Sequence, residues 1–204
     1  MTPTARCLLV IAATFIGAAP AHAEFPFAVR ARGGIGFGGG SANQTSTAGL
    51  MGMAAADAVW RRTPGRAIVV TFEGGGGPLG GSYVLDHGSY IDEVSRVALT
   101  VNLEVSRPPG PGVASYMLGG VGVGRVTTSG GTAPPGWTPD QPPTRIHVDR
   151  TAWGPALAGE VGLRLTPAPG PLGFLLGVRG SGMFAPHSSA GGVAAFFGLT
   201  IHPQ

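Results

Sequence analysis

The sequence predicts an all-β chain, an eight-stranded antiparallel up-and-down transmembrane β-barrel. Three observations carry that expectation. Apolar residues recur at every second position in the clearest candidate strands, the period of a sheet with one greasy face. The connections between candidates alternate between long and tight along the chain. The composition is apolar, with a mean hydropathy of +0.25 and 11% charged residues, yet beyond residue 23 no apolar run approaches the ~18 residues that a membrane helix needs.

Residues 1–23 have the three parts of a secretory signal: Arg6, a short apolar stretch from Cys7 to Ala19, and the cleavage pattern Ala21-His22-Ala23. The expectation is a cleaved signal peptide at 1–23 and a barrel domain at 24–204. The only cysteine, Cys7, precedes the apolar stretch, so no disulfide framework or thiol chemistry is expected of the mature chain. All 13 basic residues are arginine. Without lysine there is neither a Walker-type phosphate loop nor a Schiff-base nucleophile. The arginines are spread along the chain rather than clustered, which argues against a nucleic-acid partner. Thirty-seven glycines and 19 prolines disfavour helix.

Eight strands are expected, over Phe25–Gly38, Leu50–Trp60, Arg66–Glu73, Glu93–Arg107, Val113–Thr127, Ala152–Thr166, Leu172–Phe184 and Gly191–His202. Several match the roughly 9–11 residues of a tilted membrane crossing. The first is weakly patterned, with Phe25, Phe27 and Val29 against Arg30 and Arg32. Glycine and alanine blur both faces of the second and fifth. The third sets Ile68, Val70 and Phe72 against Thr71 and Glu73. In the fourth, Val97, Leu99, Val101, Leu103 and Val105 oppose Arg96, Ala98, Thr100, Asn102 and Glu104. In the sixth, Trp153, Leu157, Val161, Leu163 and Leu165 oppose Ala156, Ala158, Glu160, Gly162 and Arg164. The seventh sets Leu172, Phe174, Leu176 and Val178 against Gly173, Gly177, Arg179 and Ser181. The last carries Val193, Ala195, Phe197, Leu199 and Ile201 on one face.

The odd-numbered connections are long: GGSANQTSTAG, Gly74–Asp92, Thr128–Thr151 and APHSSA. The even-numbered ones, RRTPG, PPGPG and PAPGP, are tight and hold the residues that preset turn dihedrals. Sorting by parity is what an up-and-down barrel does when one rim carries turns and the other carries surface loops. In lipid, every strand must pair and the outer face must be apolar. The inner face then carries Arg30, Arg32, Arg96, Arg164 and Arg179 with Glu73, Glu104 and Glu160 as counter-charges. Eight strands enclose just enough room for side chains, so these residues are expected to plug the lumen with ion pairs. Trp60, Trp153 and Phe184 fall near strand ends, where interfacial aromatics belong.

The segments YMLGGVGVGRV (Tyr116–Val126), GPALAGEVGLRL (Gly154–Leu165) and VAAFFGLTIHP (Val193–Pro203) resemble strands five, six and eight of small outer-membrane barrels of the outer-membrane protein A transmembrane-domain type. The resemblance implies that fold and a bacterial outer-membrane location, and it brings no catalytic residues. Such barrels usually end in an aromatic residue, whereas this chain ends His202-Pro203-Gln204. No peptidoglycan-binding domain is expected after the last strand.

Three motifs could carry other chemistry. GIGFGG (Gly34–Gly39) has the dinucleotide spacing but leads into a polar loop rather than a helix. His187 and Ser189 have the H-x-S spacing of barrel enzymes that deacylate lipid A, but no carboxylate follows to orient the histidine. Asp86, His87, Asp92, His147 and Asp149 fall in long connections without metal-site spacing. The expected function is therefore non-enzymatic: a monomer with no cofactor, structural or adhesive through Gly74–Asp92 and Thr128–Thr151. Its partners would be outer-membrane lipid, lipopolysaccharide and the assembly machinery. Two alternatives remain: a deacylase using His187 and Ser189, and a soluble periplasmic ligand-binding barrel with the same alternation turned inside out.

Overall fold

A chain with so much glycine and so little helix propensity satisfies its backbone by pairing extended segments. The computed structural model describes residues 27–42, 45–63, 65–84, 89–106, 112–132, 146–167 and 171–201. They form strands β1 (Phe27–Ala42), β2 (Thr45–Thr63), β3 (Arg66–Val84), β4 (Ser89–Ser106), β5 (Gly112–Thr132), β6 (Ile146–Thr166), β7 (Leu172–Ala185) and β8 (Ser188–Ile201). Each strand pairs antiparallel with its neighbours, and β8 returns to β1, closing the barrel. Residues 1–26 and 202–204, which include the expected signal peptide and the unusual terminus, lie outside the described residues.

The end of the barrel where β1 starts and β8 finishes, the terminal end, carries the tight turn between β2 and β3. Thr63 pairs with Arg66, leaving only Pro64 and Gly65 between β2 and β3. Gly65 has φ 85° and its carbonyl accepts a 2.8 Å hydrogen bond from the Ser106 amide. A side chain there would meet both a strained φ and the Ser106 carbonyl, 2.6 Å from its Cβ.

The distal end departs from the sequence expectation in two ways. Most of the long connections are strand: β1 and β2 stay paired to Ala42↔Thr45, β3 and β4 to Val84↔Ser89, and β5 and β6 to Thr132↔Ile146. These Gly-, Ser- and Thr-rich stretches lack hydropathy alternation, yet their amides and carbonyls still find ladder partners. The seventh connection is not a loop at all. Ala185 pairs with Ser188 across a two-residue turn, Pro186-His187, with His187 at φ 60°. Proline presets the first central position, and the second takes the positive φ of a type II turn. Between paired ends the distal connections leave two residues (β1–β2), four (β3–β4), thirteen (β5–β6) and two (β7–β8), so the long-versus-tight parity holds only at β5–β6.

The result is an uneven rim. β3, β4, β5 and β6 continue together as a four-stranded sheet, while β6 pairs with β7 only from Ala156 onward and β2 with β3 only from Gly52. Outward-facing residues form an apolar belt. On β2 it runs from Leu50 to Trp60, about ten steps or ~34 Å of strand, hence ~24 Å of barrel height at a tilt of ~45°. That matches the ~25 Å apolar band of membrane barrels.

Orientation is unambiguous. Leu99, Leu163 and Phe197 are 49%, 44% and 55% exposed, whereas Arg164 and Glu104 are 3% and 2%. The apolar faces point out and the charges point in, opposite to a soluble ligand-binding barrel.

Candidate functional site

The interior is layered. At the terminal end Ala28, Val59, Ala67 and Val69 make a small apolar floor. At the distal end Val94, Val126, Ala156, Met183 and Ala190 make an apolar ceiling. Charged side chains lie between, each inward because the period of two places it opposite a belt residue.

Two connected groups hold them. In the first, Arg30 Nη1 donates to Glu104 Oε2 (2.5 Å) and Arg164 Nη2 to Glu104 Oε1 (2.6 Å). In the second, Arg32 donates to Asp57 Oδ1 (2.6 Å) and also to Glu160. Arg179 spans Glu160 (3.1 Å) and Glu73 (2.5 Å), and Arg96 lies 3.2 Å from Glu73. Ser181 closes this group, donating to Glu73 (2.6 Å) and accepting from Arg96 (2.7 Å). Tyr116 joins the two. Its hydroxyl donates to Glu160 (2.7 Å), and the guanidinium carbons of Arg30 and Arg164 lie 5.7 and 5.6 Å from its ring centroid.

All eight side chains expected to face inward as charges, Arg30, Arg32, Glu73, Arg96, Glu104, Glu160, Arg164 and Arg179, thus lie in these groups. Asp57 and Tyr116 escaped the sequence reading because β2 and β5 carry alanine and glycine on both faces. An available signal for Asp57 was charge balance: five inward arginines exceeded three inward glutamates. Leu175, fully buried, adds an unforeseen apolar residue beside Tyr116, Leu118 and Phe196.

Little free space remains beside Arg96 and Glu73. The cavities beside Arg96 measure about 10 Å³ each, room for one water. Glycine makes the packing possible. Met51 lies across β1 and β8, where a Cβ on Gly192 would come within 2.7 Å of its sulfur and a Cβ on Gly38 would collide with it. The GIGFGG stretch belongs to this surface: Gly34 to Gly39 lie inside β1, with no helix after them among the described residues.

His187 and Ser189 have different surroundings. His187 sits exposed at the β7–β8 turn, and the Ser189 hydroxyl is 2.8 Å from that of Ser41. Among the described residues no hydrogen bond joins His187 to Ser189. Asp86 and His87 lie outside the described residues, as do the side chains of Asp92, His147 and Asp149, and no group of potential metal ligands occurs among the described ones.

By sequence, neither a protein family nor a curated relative matches the chain. Solved structures do. Neisserial surface protein A superposes with a TM-score of 0.54 at 11% identity, covering 87% of this chain and 97% of its own. The attachment invasion locus protein Ail of Yersinia pestis, solved with the heparin analogue sucrose octasulfate, superposes with a TM-score of 0.52 at 11% identity over 86% of this chain and 99% of its own. The chain has the small outer-membrane barrel fold. At 11% identity that likeness is one of fold rather than of shared side chains.

Proposed function

We propose that this chain is a non-enzymatic outer-membrane barrel, closed to solutes, that displays a β-sheet for contact with surface ligands. The observation that carries the reading is the sheet β3–β6, which continues beyond the apolar belt. Above Ala156, β6 has no ladder partner on its β7 side among the described residues. A free edge offers backbone donors and acceptors to another extended chain. The belt height and the inward charges support a bilayer setting. The apolar ceiling and floor, with water-sized cavities beside Arg96, support a plugged lumen.

In this reading residues 1–23 direct export and are removed, the assembly machinery inserts residues 24–204 as a monomer, and the terminal end faces the periplasm. The solved complex of Ail with a sulfated sugar lends support to surface ligand binding as a role for this fold.

The mature chain lacks cysteine, so single-cysteine labelling tests the orientation. Arg150→Cys, on the projecting part of β6, should react with a membrane-impermeant maleimide in intact cells. Thr63→Cys, at the terminal end, should react only after lysis. Labelling of both sites in intact cells, or of neither, would reject the arrangement. Liposomes carrying the folded protein should not swell in sugar solutions.

A further inference from the structure

The outward face changes character over three successive cross-strand rows of β4, β5 and β6. Leu99, Val123 and Pro155 belong to the apolar belt. The next row is Val97, Arg125 and Trp153. The row beyond, Ser95, Thr127 and Thr151, is entirely hydroxyl, with the Thr127 and Thr151 oxygens 3.2 Å apart.

Arg125 and Trp153 are exposed, and Arg125 forms no ion pair with any described residue. Around the rest of the distal edge of the belt the outward residues are Leu50, Phe37, Val193 and Phe184, all uncharged. The cation marks one sector, directly below the projecting sheet. An arginine facing lipid is disfavoured unless it sits at headgroup depth and meets an anion. A guanidinium donates in a fork that suits phosphate oxygens, and an indole favours the same interfacial depth.

We propose that Arg125, with the Thr127 and Thr151 hydroxyls above it and Trp153 beside it, binds the phosphate of a lipid headgroup. The acyl chains then lie along the rows Leu99–Val123–Pro155 and Val101–Val121–Leu157. This rests on the outer-membrane placement proposed above and adds a specific lipid contact to it.

The test uses the folded barrel in detergent and native mass spectrometry, with diphosphorylated lipid A, its dephosphorylated form and inorganic phosphate as probes. Arg125→Ala should weaken diphosphorylated lipid A at least about tenfold and leave the dephosphorylated form unchanged. Arg66→Ala, outward at the opposite end, should change neither. Inorganic phosphate should not displace the lipid at matched concentration. Equal binding by Arg125→Ala and the unaltered protein, an equal loss with Arg66→Ala, or displacement by inorganic phosphate would each overturn the site. Failure of the placement itself reads out separately: unboiled protein would then lack the faster gel migration of a folded barrel in every variant.

Discussion

Arg30 and Glu104 meet inside the barrel with 2.5 Å between Nη1 and Oε2, and both side chains are buried. Glu104 also accepts from Arg164, so one carboxylate bridges two guanidinium groups. Arg30 faces Asp57 on one neighbouring strand and Thr200 on the other. Its Nε and Nη2, Asp57 Oδ2 and Thr200 Oγ1 have no protein partner among the described residues, a set of donors and acceptors suited to bridging water.

Removing that carboxylate is expected to be costly. Glu104→Ala leaves two arginines uncompensated in the interior and should lower stability by about 3–5 kcal/mol. Urea titration of the folded barrel in detergent measures this. An unchanged midpoint would mean that the lumen is wetter than its packing indicates.

Gly38 and Met51 should behave as a coupled pair. Gly38→Val forces Met51 from its seat and should cost about 1–3 kcal/mol. Adding Met51→Ala should recover at least ~0.5 kcal/mol of that loss. Strictly additive effects would show that Met51 does not fill this space.

His187 holds a backbone conformation that few side chains favour. Asparagine, whose short side chain can hydrogen-bond locally, suits it better, so His187→Asn should raise stability by up to ~1 kcal/mol. The same variant bears on deacylase chemistry, since cells expressing it should have the same lipid A acylation as cells expressing the unaltered protein. Lost deacylation would restore the enzymatic reading.

The belt should reject charge by depth. Val121→Arg, in the middle of the β5 crossing, should cost about 2–4 kcal/mol in lipid vesicles, and Thr127→Arg, beyond its edge, about 0–1. Equal penalties at the two positions would argue against a bilayer around these residues.

What could be read from the sequence followed the strength of its alternation. In β4, β6, β7 and β8 the period of two assigned faces correctly because Leu, Val and Phe stand opposite Gly, Arg and Glu. β2 hid Asp57 in an alanine run, and β5 hid Tyr116 among glycines. Above the belt there is no greasy side to define a face, so the continuing ladders of β3–β6 looked like loops. APHSSA looked like a loop for the opposite reason: its polar residues belong to the ends of two paired strands, and only Pro186 and His187 make the turn. The outward Arg125 was invisible until pairing with Trp153 fixed its row.

The bond between Arg32 and Glu160 joins positions 128 residues apart, and Ser41 meets Ser189 across 148. Such partners become neighbours only once β1 has come together with β6 and β8. A half-built sheet would hold arginines and glutamates facing lipid with nothing to cancel them. Insertion should therefore proceed in one concerted, slow step, and the charges at the centre act as a checkpoint that penalises every incomplete cylinder.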